Sequence, residues 1–235
     1  MVKATTLSFE FYPPQTKEGV IKLKQTAKVL NKYNPEFFSV TFGAGGSTKE
    51  KTLETVLELS KLGFNATPHI SCISSSKAEV KELLDKYKAQ KINHLVALRG
   101  DNPSGTMNFG ELNYANELVS FIKSEMGDTF KIDVGAYPEV HPESESAKQD
   151  FINFKNKVEA GADSAITQFF YNVDAYFKFV DECQKHSINI PIVPGIMPIY
   201  NSKQLIRFAN NCGAEIPRWL KYKLEDYKDD LDSLR

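Results

Sequence analysis

Residues 7–15 read Leu7-Ser8-Phe9-Glu10-Phe11-Tyr12-Pro13-Pro14-Gln15. The apolar and aromatic run over Leu7–Phe11 predicts a β-strand, and the Tyr-Pro-Pro sequence after it predicts a turn. An open nucleotide-binding sheet normally has the glycine fingerprint GxGxxG directly after its first strand, and this chain has none there. A closed (β/α) barrel needs no such loop. The stretch therefore favours a barrel over an open doubly wound sheet, although this criterion alone is weak.

Short β-branched or aromatic runs alternate with amphipathic, Lys/Glu-rich runs along the rest of the chain, which is typical of parallel strands joined by crossover helices. The predicted strands are Leu7–Phe11, Phe37–Gly43, Asn65–Ser71, His94–Arg99, Ile132–Tyr137, Ser164–Phe170 and Ile192–Met197. The predicted helices are Thr16–Tyr33, Thr48–Leu62, Lys77–Ala89, Tyr114–Met126, Ala147–Ala160, Val173–Lys185 and Ser202–Asn211. The fold class that follows is α/β, a TIM-type (β/α)8 barrel.

The last β/α unit of such a barrel is missing from the prediction. After Gly213 the chain continues into a charged segment, Lys221–Asp232, and no eighth strand is indicated. Seven strands alone would leave two unpaired sheet edges. We therefore expect residues 1–235 to form one catalytic barrel domain that is shortened at its C-terminus; a barrel completed by a partner is the alternative.

Composition narrows the classes of partner. The 235 residues are 41% hydrophobic and 25% charged, with 29 Lys and Arg against 30 Asp and Glu and no dense basic run. Nucleic acid is therefore not an expected partner, and small molecules are. Three widely spaced cysteines and the lack of a long apolar run fit a cytoplasmic protein without a disulfide framework or a membrane span.

Polar residues recur where the predicted strands end. They are Glu10, Thr41, His69, Arg99 with Asp101, Tyr137 and Gln168. The active site of a barrel is built from the carboxyl ends of its strands, because those ends converge on one mouth. Six successive polar ends therefore predict a shared site, although each residue alone could be an ordinary loop or cap residue.

Six motifs in this order resemble the methylenetetrahydrofolate reductase family. They are Ser8–Pro14 (SFEFYPP), Ser39–Gly46 (SVTFGAGG), Ala66–His69 (ATPH), Ala97–Asp101 (ALRGD), Ala136–Glu143 (AYPEVHPE) and Ala165–Phe170 (AITQFF). The resemblance implies an FAD-dependent barrel enzyme. Such an enzyme takes hydride from NADH or NADPH and reduces 5,10-methylenetetrahydrofolate to 5-methyltetrahydrofolate in a ping-pong scheme, which supplies methyl groups for methionine synthesis. The resemblance also implies a homo-oligomer.

The resemblance implies catalytic roles for two carboxylates, Glu10 and Asp101. Glu10 stands between Phe9 and Phe11, and a carboxyl group that is desolvated in such surroundings should have a raised pKa. A raised pKa suits the general acid that opens the five-membered ring of the substrate. Asp101 follows Gly100, and in the family the matching aspartate lies near the flavin and contacts the folate; an ion pair with Arg99 is the plain structural alternative.

The resemblance also implies ligand-binding residues. For FAD they are Phe42, Ala44, His69, Arg99, Gly100, Asp101, Tyr114, Ala115, Tyr137, His141, Ser144, Asp150, Asn153, Asn156 and Lys157. At position 156 relatives can carry a basic residue. For the folate or nicotinamide they are Thr41, Asp101, Gln168 and Gln204, with the aromatic Phe208 near the last of these. Asp150, Asn153 and Lys157 have the spacing of one helix face, which could equally be a solvated charged face.

Two alternatives to the reductase remain at this point. One is another flavin-dependent barrel oxidoreductase, such as a proline dehydrogenase-like enzyme, which would not need an acid placed like Glu10. The other is a non-catalytic module that binds flavin or folate. No metal site is predicted, because neither His69 with Cys72 nor His141 with Glu143 extends to a third ligand.

Overall fold

The computed structural model describes residues 6–42, 46–100 and 110–227, with the side chains of residues 46–49 left aside. The strands are β1 Ser8–Phe11, β2 Phe37–Val40, β3 Ala66–Ser71, β4 His94–Leu98, β5 Lys131–Ala136, β6 Ser164–Thr167 and β7 Ile192–Val193. The helices are α1 Lys17–Leu30, α2 Gly46–Ser60, α3 Lys77–Ala89, α4 Ala115–Met126, α5 Ala147–Glu159, α6 Val173–Lys185, α7 Ser202–Cys212 and α8 Arg218–Asp226. Short 3₁₀ turns follow α1 and α4.

The order of the strands in the sheet is the order of the chain, β1 to β7. The pairs β1–β2, β2–β3, β3–β4 and β6–β7 are all parallel. A doubly wound sheet reverses its strand order near the middle, whereas a barrel adds each strand beside the previous one. The predicted barrel fold class is therefore confirmed, with seven β/α units in the described residues.

Local sequence signals explain where the helices begin. The side chain of Thr16 accepts a hydrogen bond from the backbone N–H of Gly19 and caps α1. Ser76 and Glu79 form a reciprocal capping box at the start of α3. Asn201 caps α7 by accepting from the N–H of Gln204. Each cap satisfies backbone donors that have no partner within the helix.

The chain divides into two compact units, Met1–Asp133 and Val134–Arg235, and the boundary lies within β5. In the first unit the core contains large buried side chains such as Phe38, Leu59, Ile70 and Leu95. Strands β2 and β3 are buried along their whole length, as expected for parallel strands that are covered on both faces.

The second unit contains three departures from the sequence prediction. Strand β6 ends at Thr167 rather than at Phe170. Strand β7 ends at Val193 rather than at Met197, because Pro194 has no N–H to donate and Gly195 lies against strand β6. A Cβ on Gly195 would be 2.1 Å from the carbonyl oxygen of Thr167. The bare backbone of a glycine is therefore required there, and regular strand pairing stops.

The third departure is helix α8, which overlaps the predicted charged segment Lys221–Asp232. Leu220 and Leu224 are one turn apart and both are buried. They pack with Leu205 and Ala209 of α7 in one apolar cluster, to which Phe169 and Met197 add partly buried contacts. This cluster stabilises the end of the described chain.

Candidate active site

Glu10 and His69 form a polar pair in the first unit. Glu10 lies in β1 and His69 in β3, and the distance from Glu10 Oε2 to His69 Nε2 is 3.5 Å. About half of the Glu10 side chain is exposed (51%), whereas that of His69 is almost fully buried. Desolvation by the surrounding protein nevertheless raises the pKa of the Glu10 carboxyl group, as the sequence predicted.

His69 is neutral near pH 7. Burial lowers the pKa of His69 to about 4, and the charge of Asp133 opposes this only in part. Among the described residues His69 Nε2 has no hydrogen-bond partner, although it is buried. A buried polar atom without a partner is costly, so this nitrogen is well suited to receive a polar atom of a ligand. A neutral imidazole also brings no positive charge that would lower the pKa of Glu10.

A row of buried polar side chains crosses the sheet at the level of Glu10. The register pairs Glu10 with Ser39 of β2, and Ser39 with Thr67 of β3. Thr67 Oγ1 lies 3.2 Å from His94 Nδ1, and His94 Nε2 lies 2.8 Å from Asp133 Oδ2. Paired residues of a parallel sheet point to the same face, so these positions share the face that carries Glu10.

Three residues of this row, Thr67, His94 and Asp133, form what we call the buried network, and none of them was predicted as a site residue. All three residues are buried. The Asp133 carboxyl group accepts from His94 Nε2–H, and the Thr67 hydroxyl is hydrogen-bonded to His94 Nδ1. In the sequence, the network is represented only by one polar residue in each of three predicted strands. That these residues contact one another follows only from the register of the strands.

The ends of β2 and β4 hold other predicted residues of the first unit. Thr41 is half-buried; its N–H donates to the Phe11 carbonyl, and its carbonyl accepts from the Thr52 hydroxyl. Phe42 follows it and is also half-buried. The carbonyl of Arg99 accepts from the Ser71 hydroxyl at 2.6 Å, which links the ends of β3 and β4.

Gly100 has a structural reason to be glycine. Its φ is +88°, and a Cβ at this position would lie 1.9 Å from Ser71 Oγ. The positive φ and close packing on β3 therefore account for the glycine. The predicted residues Asp101 and Ala44 lie outside the described residues.

Tyr114 and Ala115 stand at the start of α4. Tyr114 occupies the N-cap position without a side-chain capping bond, and it is 60% exposed. Its ring is therefore available to a ligand, as the prediction requires, whereas Ala115 is half-buried as the first residue of the helix.

In the second unit, Asp150 organises the loop after β5. Its two carboxylate oxygens accept from the backbone N–H of His141 at 3.1 Å and from the Ser144 hydroxyl at 2.9 Å. The ring of Tyr137 packs edge-to-face against that of His141, with 4.5 Å between centroids. Four predicted FAD residues are thus brought together here, and Asp150 holds the loop in shape.

Lys157, Asn153 and Asn156 lie further along α5. Lys157 turns inward and donates to the Gly135 carbonyl at 2.5 Å, and burial lowers the pKa of its ammonium group to about 8. Asn153 and Asn156 are exposed, and Asn153 accepts from the Gln149 side chain. The single helix face expected for residues 150, 153 and 157 is thus divided between a partly buried lysine and an exposed amide.

Gln168 and Gln204 are both half-buried. Gln168 follows β6; its N–H donates to the Ala136 carbonyl, and its side-chain oxygen accepts from the N–H of Phe169. Gln204 lies in the first turn of α7, and its Oε1 accepts from the hydroxyl of Tyr200 at 2.6 Å. Tyr200 was not predicted as a site residue.

A desolvated acid beside a neutral imidazole, on parallel strands ordered as in a barrel, defines the chain as an enzyme of the (β/α)-barrel class. The described residues contain no group of three or more His, Cys, Asp or Glu side chains that could hold a metal ion. None of the described helices is long and apolar enough to cross a membrane.

Comparison with known proteins gives the family. The model of the methylenetetrahydrofolate reductase family matches residues 2–235. A 5,10-methylenetetrahydrofolate reductase of Buchnera aphidicola subsp. Schizaphis graminum is 41% identical over 227 residues, which cover 96% of this chain and 76% of the relative. The chain therefore belongs to the methylenetetrahydrofolate reductase family, and the predicted family and enzyme class are confirmed.

Two further comparisons concern the family and the fold, respectively. Methylenetetrahydrofolate reductase (NADH) 1 of Arabidopsis thaliana is 39% identical over 245 residues, covering 98% of this chain and 41% of the relative. An uncharacterized Clostridium thermocellum protein whose solved structure binds two copies of 5-methyl-5,6,7,8-tetrahydrofolic acid has a TM-score of 0.69. It is 17% identical, and the match covers 99% of this chain and 80% of that one. At this identity the structural likeness supports the fold alone.

Proposed function

We propose that the chain reduces 5,10-methylenetetrahydrofolate to 5-methyltetrahydrofolate with FAD as its cofactor and NADH or NADPH as hydride donor. The observation that carries the proposal is the Glu10–His69 pair, because it combines an acid of raised pKa with a neutral imidazole 3.5 Å away. The proposal includes a cytoplasmic location, a homo-oligomer and a supply of methyl groups for methionine synthesis.

The residues present fit FAD. His69 Nε2 is a buried polar atom that lacks a partner among the described residues, which suits a polar atom of the flavin. Lys157 supplies a cation and Asp150 a carboxylate, which suit a phosphate group and a ribose hydroxyl. When bound, FAD would accept hydride from the nicotinamide and pass it to the folate.

Glu10 supplies the proton. Its raised pKa increases the fraction of Glu10 that is protonated near neutral pH, and the 51% exposure leaves the carboxyl group accessible to a substrate. The protonated carboxyl group donates to the ring nitrogen that leaves when the five-membered ring of the folate opens. The resulting iminium carbon is the hydride acceptor. Glu10 is then ionised and must regain a proton before the next turnover.

Neutral His69 keeps Glu10 in this role. If His69 were protonated, the ion pair at 3.5 Å would favour the Glu10 carboxylate and lower its pKa. Because burial holds the pKa of His69 near 4, the imidazole is uncharged over the pH range where the acid must work. Asp101, which follows Gly100 in the sequence, is proposed as the second carboxylate, which favours the cationic folate intermediate electrostatically.

The nicotinamide nucleotide and the folate are proposed to react in turn, which gives ping-pong kinetics. The substitution Glu10→Gln tests the role of the acid. We expect the reaction with the nicotinamide to persist, whereas the folate reaction should slow by about 10²- to 10⁴-fold, because an amide cannot donate an acidic proton. Rapid mixing under anaerobic conditions, which follows the flavin absorbance with each substrate separately, measures both rates.

Glu36→Gln is the matched control, because Glu36 is also about half exposed (49%) and also faces a basic residue, Lys131, at 3.5 Å. It should leave both half-reactions unchanged. If Glu10→Gln slowed both half-reactions equally, Glu10 would not be the general acid of the folate step. A purified protein that binds no FAD on titration would count against the whole proposal.

A further inference from the structure

Tyr200 lies just before α7 and contacts Gln204, the glutamine that the proposed function places at the folate. The Tyr200 hydroxyl and Gln204 Oε1 are 2.6 Å apart. This distance is typical of a hydrogen bond between two oxygens and shorter than that of an N–H···O bond. The hydroxyl therefore donates to the carbonyl oxygen of the amide, and the NH₂ group of Gln204 points elsewhere.

The orientation of the Gln204 amide matters for recognition. An amide offers an acceptor at Oε1 and two donors at Nε2, and a half-turn about its last bond exchanges them. The backbone around Gln204 is fixed independently, because its N–H donates to the Asn201 cap at 2.9 Å. Nε2 donates to no residue in the described part of the chain, so its two N–H groups are available to a ligand.

We propose that Tyr200 is a positioning residue, which presents the Gln204 amide to the substrate as a hydrogen-bond donor. The partner on the ligand is then an acceptor, such as a ring nitrogen or a carbonyl group of the pterin. A phenol hydroxyl donates more readily than it accepts, because its oxygen lone pair is delocalised into the ring. Tyr200 therefore favours one of the two amide orientations before the substrate arrives.

This inference rests on the proposed function, and it concerns substrate affinity rather than the chemical step. Tyr200 is 51% exposed, so Tyr200→Phe removes the hydroxyl and leaves a ring that needs no repacking. We expect the Kd for 5-methyltetrahydrofolate and the KM for methylenetetrahydrofolate to rise about three- to tenfold, the effect of one lost hydrogen bond. The KM for NADH and the kcat should stay within a factor of two or so.

A double-mutant cycle separates this role from a structural one. If Tyr200 acts through Gln204, Tyr200→Phe should weaken folate binding in the natural chain and have almost no effect in a Gln204→Ala background. Isothermal titration of the FAD-loaded protein with 5-methyltetrahydrofolate measures all four Kd values. An equal loss in both backgrounds would overturn the inference, as would no loss in either.

Tyr222→Phe is the matched control. Tyr222 is 53% exposed, and its hydroxyl accepts from the guanidinium of Arg218, also four residues away. It should leave folate binding unchanged. If the natural chain itself neither bound nor turned over the folate, the proposed function would fail. If folate bound normally and only Tyr200→Phe were without effect, the role of Tyr200 alone would fail.

Discussion

Strand β3 carries three polar residues on one face, and the surroundings of two of them, Thr67 and His69, differ sharply. Thr67 belongs to the buried network, in which the polar side-chain groups of Thr67, His94 and Asp133 are hydrogen-bonded to one another. His69, two residues further along, has a buried Nε2 without a partner among the described residues, and it faces the half-exposed Glu10. Residues two apart on a strand point to the same face, so the direction of the side chains does not explain why Thr67 and His69 have different surroundings.

The difference lies in the position along the strand. In a barrel, the carboxyl ends of the strands carry the chemistry, and the part toward the amino ends carries the stability. On β3, Thr67 of the buried network lies two residues before His69, and its partner His94 is the first residue of β4. A satisfied network stabilises the fold, and an unsatisfied nitrogen at the carboxyl end is available to a ligand.

The largest expected effect on stability comes from breaking the buried network. Asp133→Ala should lower the free energy of unfolding by about 3 kcal/mol, because it removes a hydrogen bond to a buried carboxyl group and leaves His94 Nε2–H buried without an acceptor. Chemical denaturation of the FAD-free protein measures the change. Asp133→Asn is the control, since its side-chain oxygen can still accept from His94 Nε2–H, and it should cost clearly less. Equal losses for both variants would mean that charge, and not the hydrogen bond, holds the network.

Lys157 is intermediate between the two cases, because its partly buried ammonium group donates to the Gly135 carbonyl. Its pKa of about 8 lies below the ordinary value, so the unfolded state binds more protons from pH 8 upward and stability should rise with pH until about pH 10.4. Below pH 8 the cost of burying the charge is constant. Lys157→Met should therefore abolish the rise of stability with pH. At pH 7 it should also stabilise the FAD-free protein by about 1 kcal/mol, after the loss of the hydrogen bond to Gly135 is subtracted.

Thermal unfolding of the FAD-free protein between pH 7 and pH 10 checks this prediction. Lys155→Met is the control, because Lys155 lies on the same helix but is 40% exposed and paired with Glu159. The stability of this variant should still rise with pH. A Lys157→Met variant whose stability still rose over that range would show that another group titrates there.

The elements of the fold could be predicted because their signals are local. Strand alternation, helix caps such as Ser76 and the change of period along the chain depend on neighbouring residues only. Helix α8 was missed because Leu220 and Leu224 stand among charged residues, and their apolar spacing is too short a signal. Strand β7 was predicted too long because the close approach of Gly195 to Thr167 is a tertiary contact.

The residues of the candidate site also divide into those that local sequence signals predict and those that depend on tertiary contacts. Glu10 and His69 could be named from strand ends and family motifs, and the raised pKa of Glu10 followed from its apolar neighbours. His94 and Asp133 are 39 positions apart in the sequence, and their pairing depends on the register of β4 and β5. No local sequence pattern encodes that register. Tyr200 was missed because a single tyrosine before a helix indicates no function by itself. Its hydrogen bond to Gln204 is visible only in the structure.

The smallest expected effect on stability, at pH 7, is that of His69→Leu. The imidazole is buried and neutral, and its Nε2 gains no hydrogen bond from the described residues, so a leucine of similar volume should change the free energy of unfolding by less than about 1 kcal/mol. Because the pKa of His69 is about 4 in the folded state and about 6.5 in the unfolded state, the natural protein should lose stability as the pH falls from 6.5 to 4. The variant should lose less.

His94→Leu is the matched control, with the same substitution on the neighbouring strand. It leaves the Asp133 carboxylate buried without its imidazole partner, so it should cost about 3–5 kcal/mol at pH 7. FAD titration should give the opposite order for ligand binding, because His69→Leu removes the nitrogen that is available to a ligand. If His69→Leu destabilised the fold as much as His94→Leu, or left FAD affinity unchanged, the division of this sheet face into a structural and a functional part would be wrong.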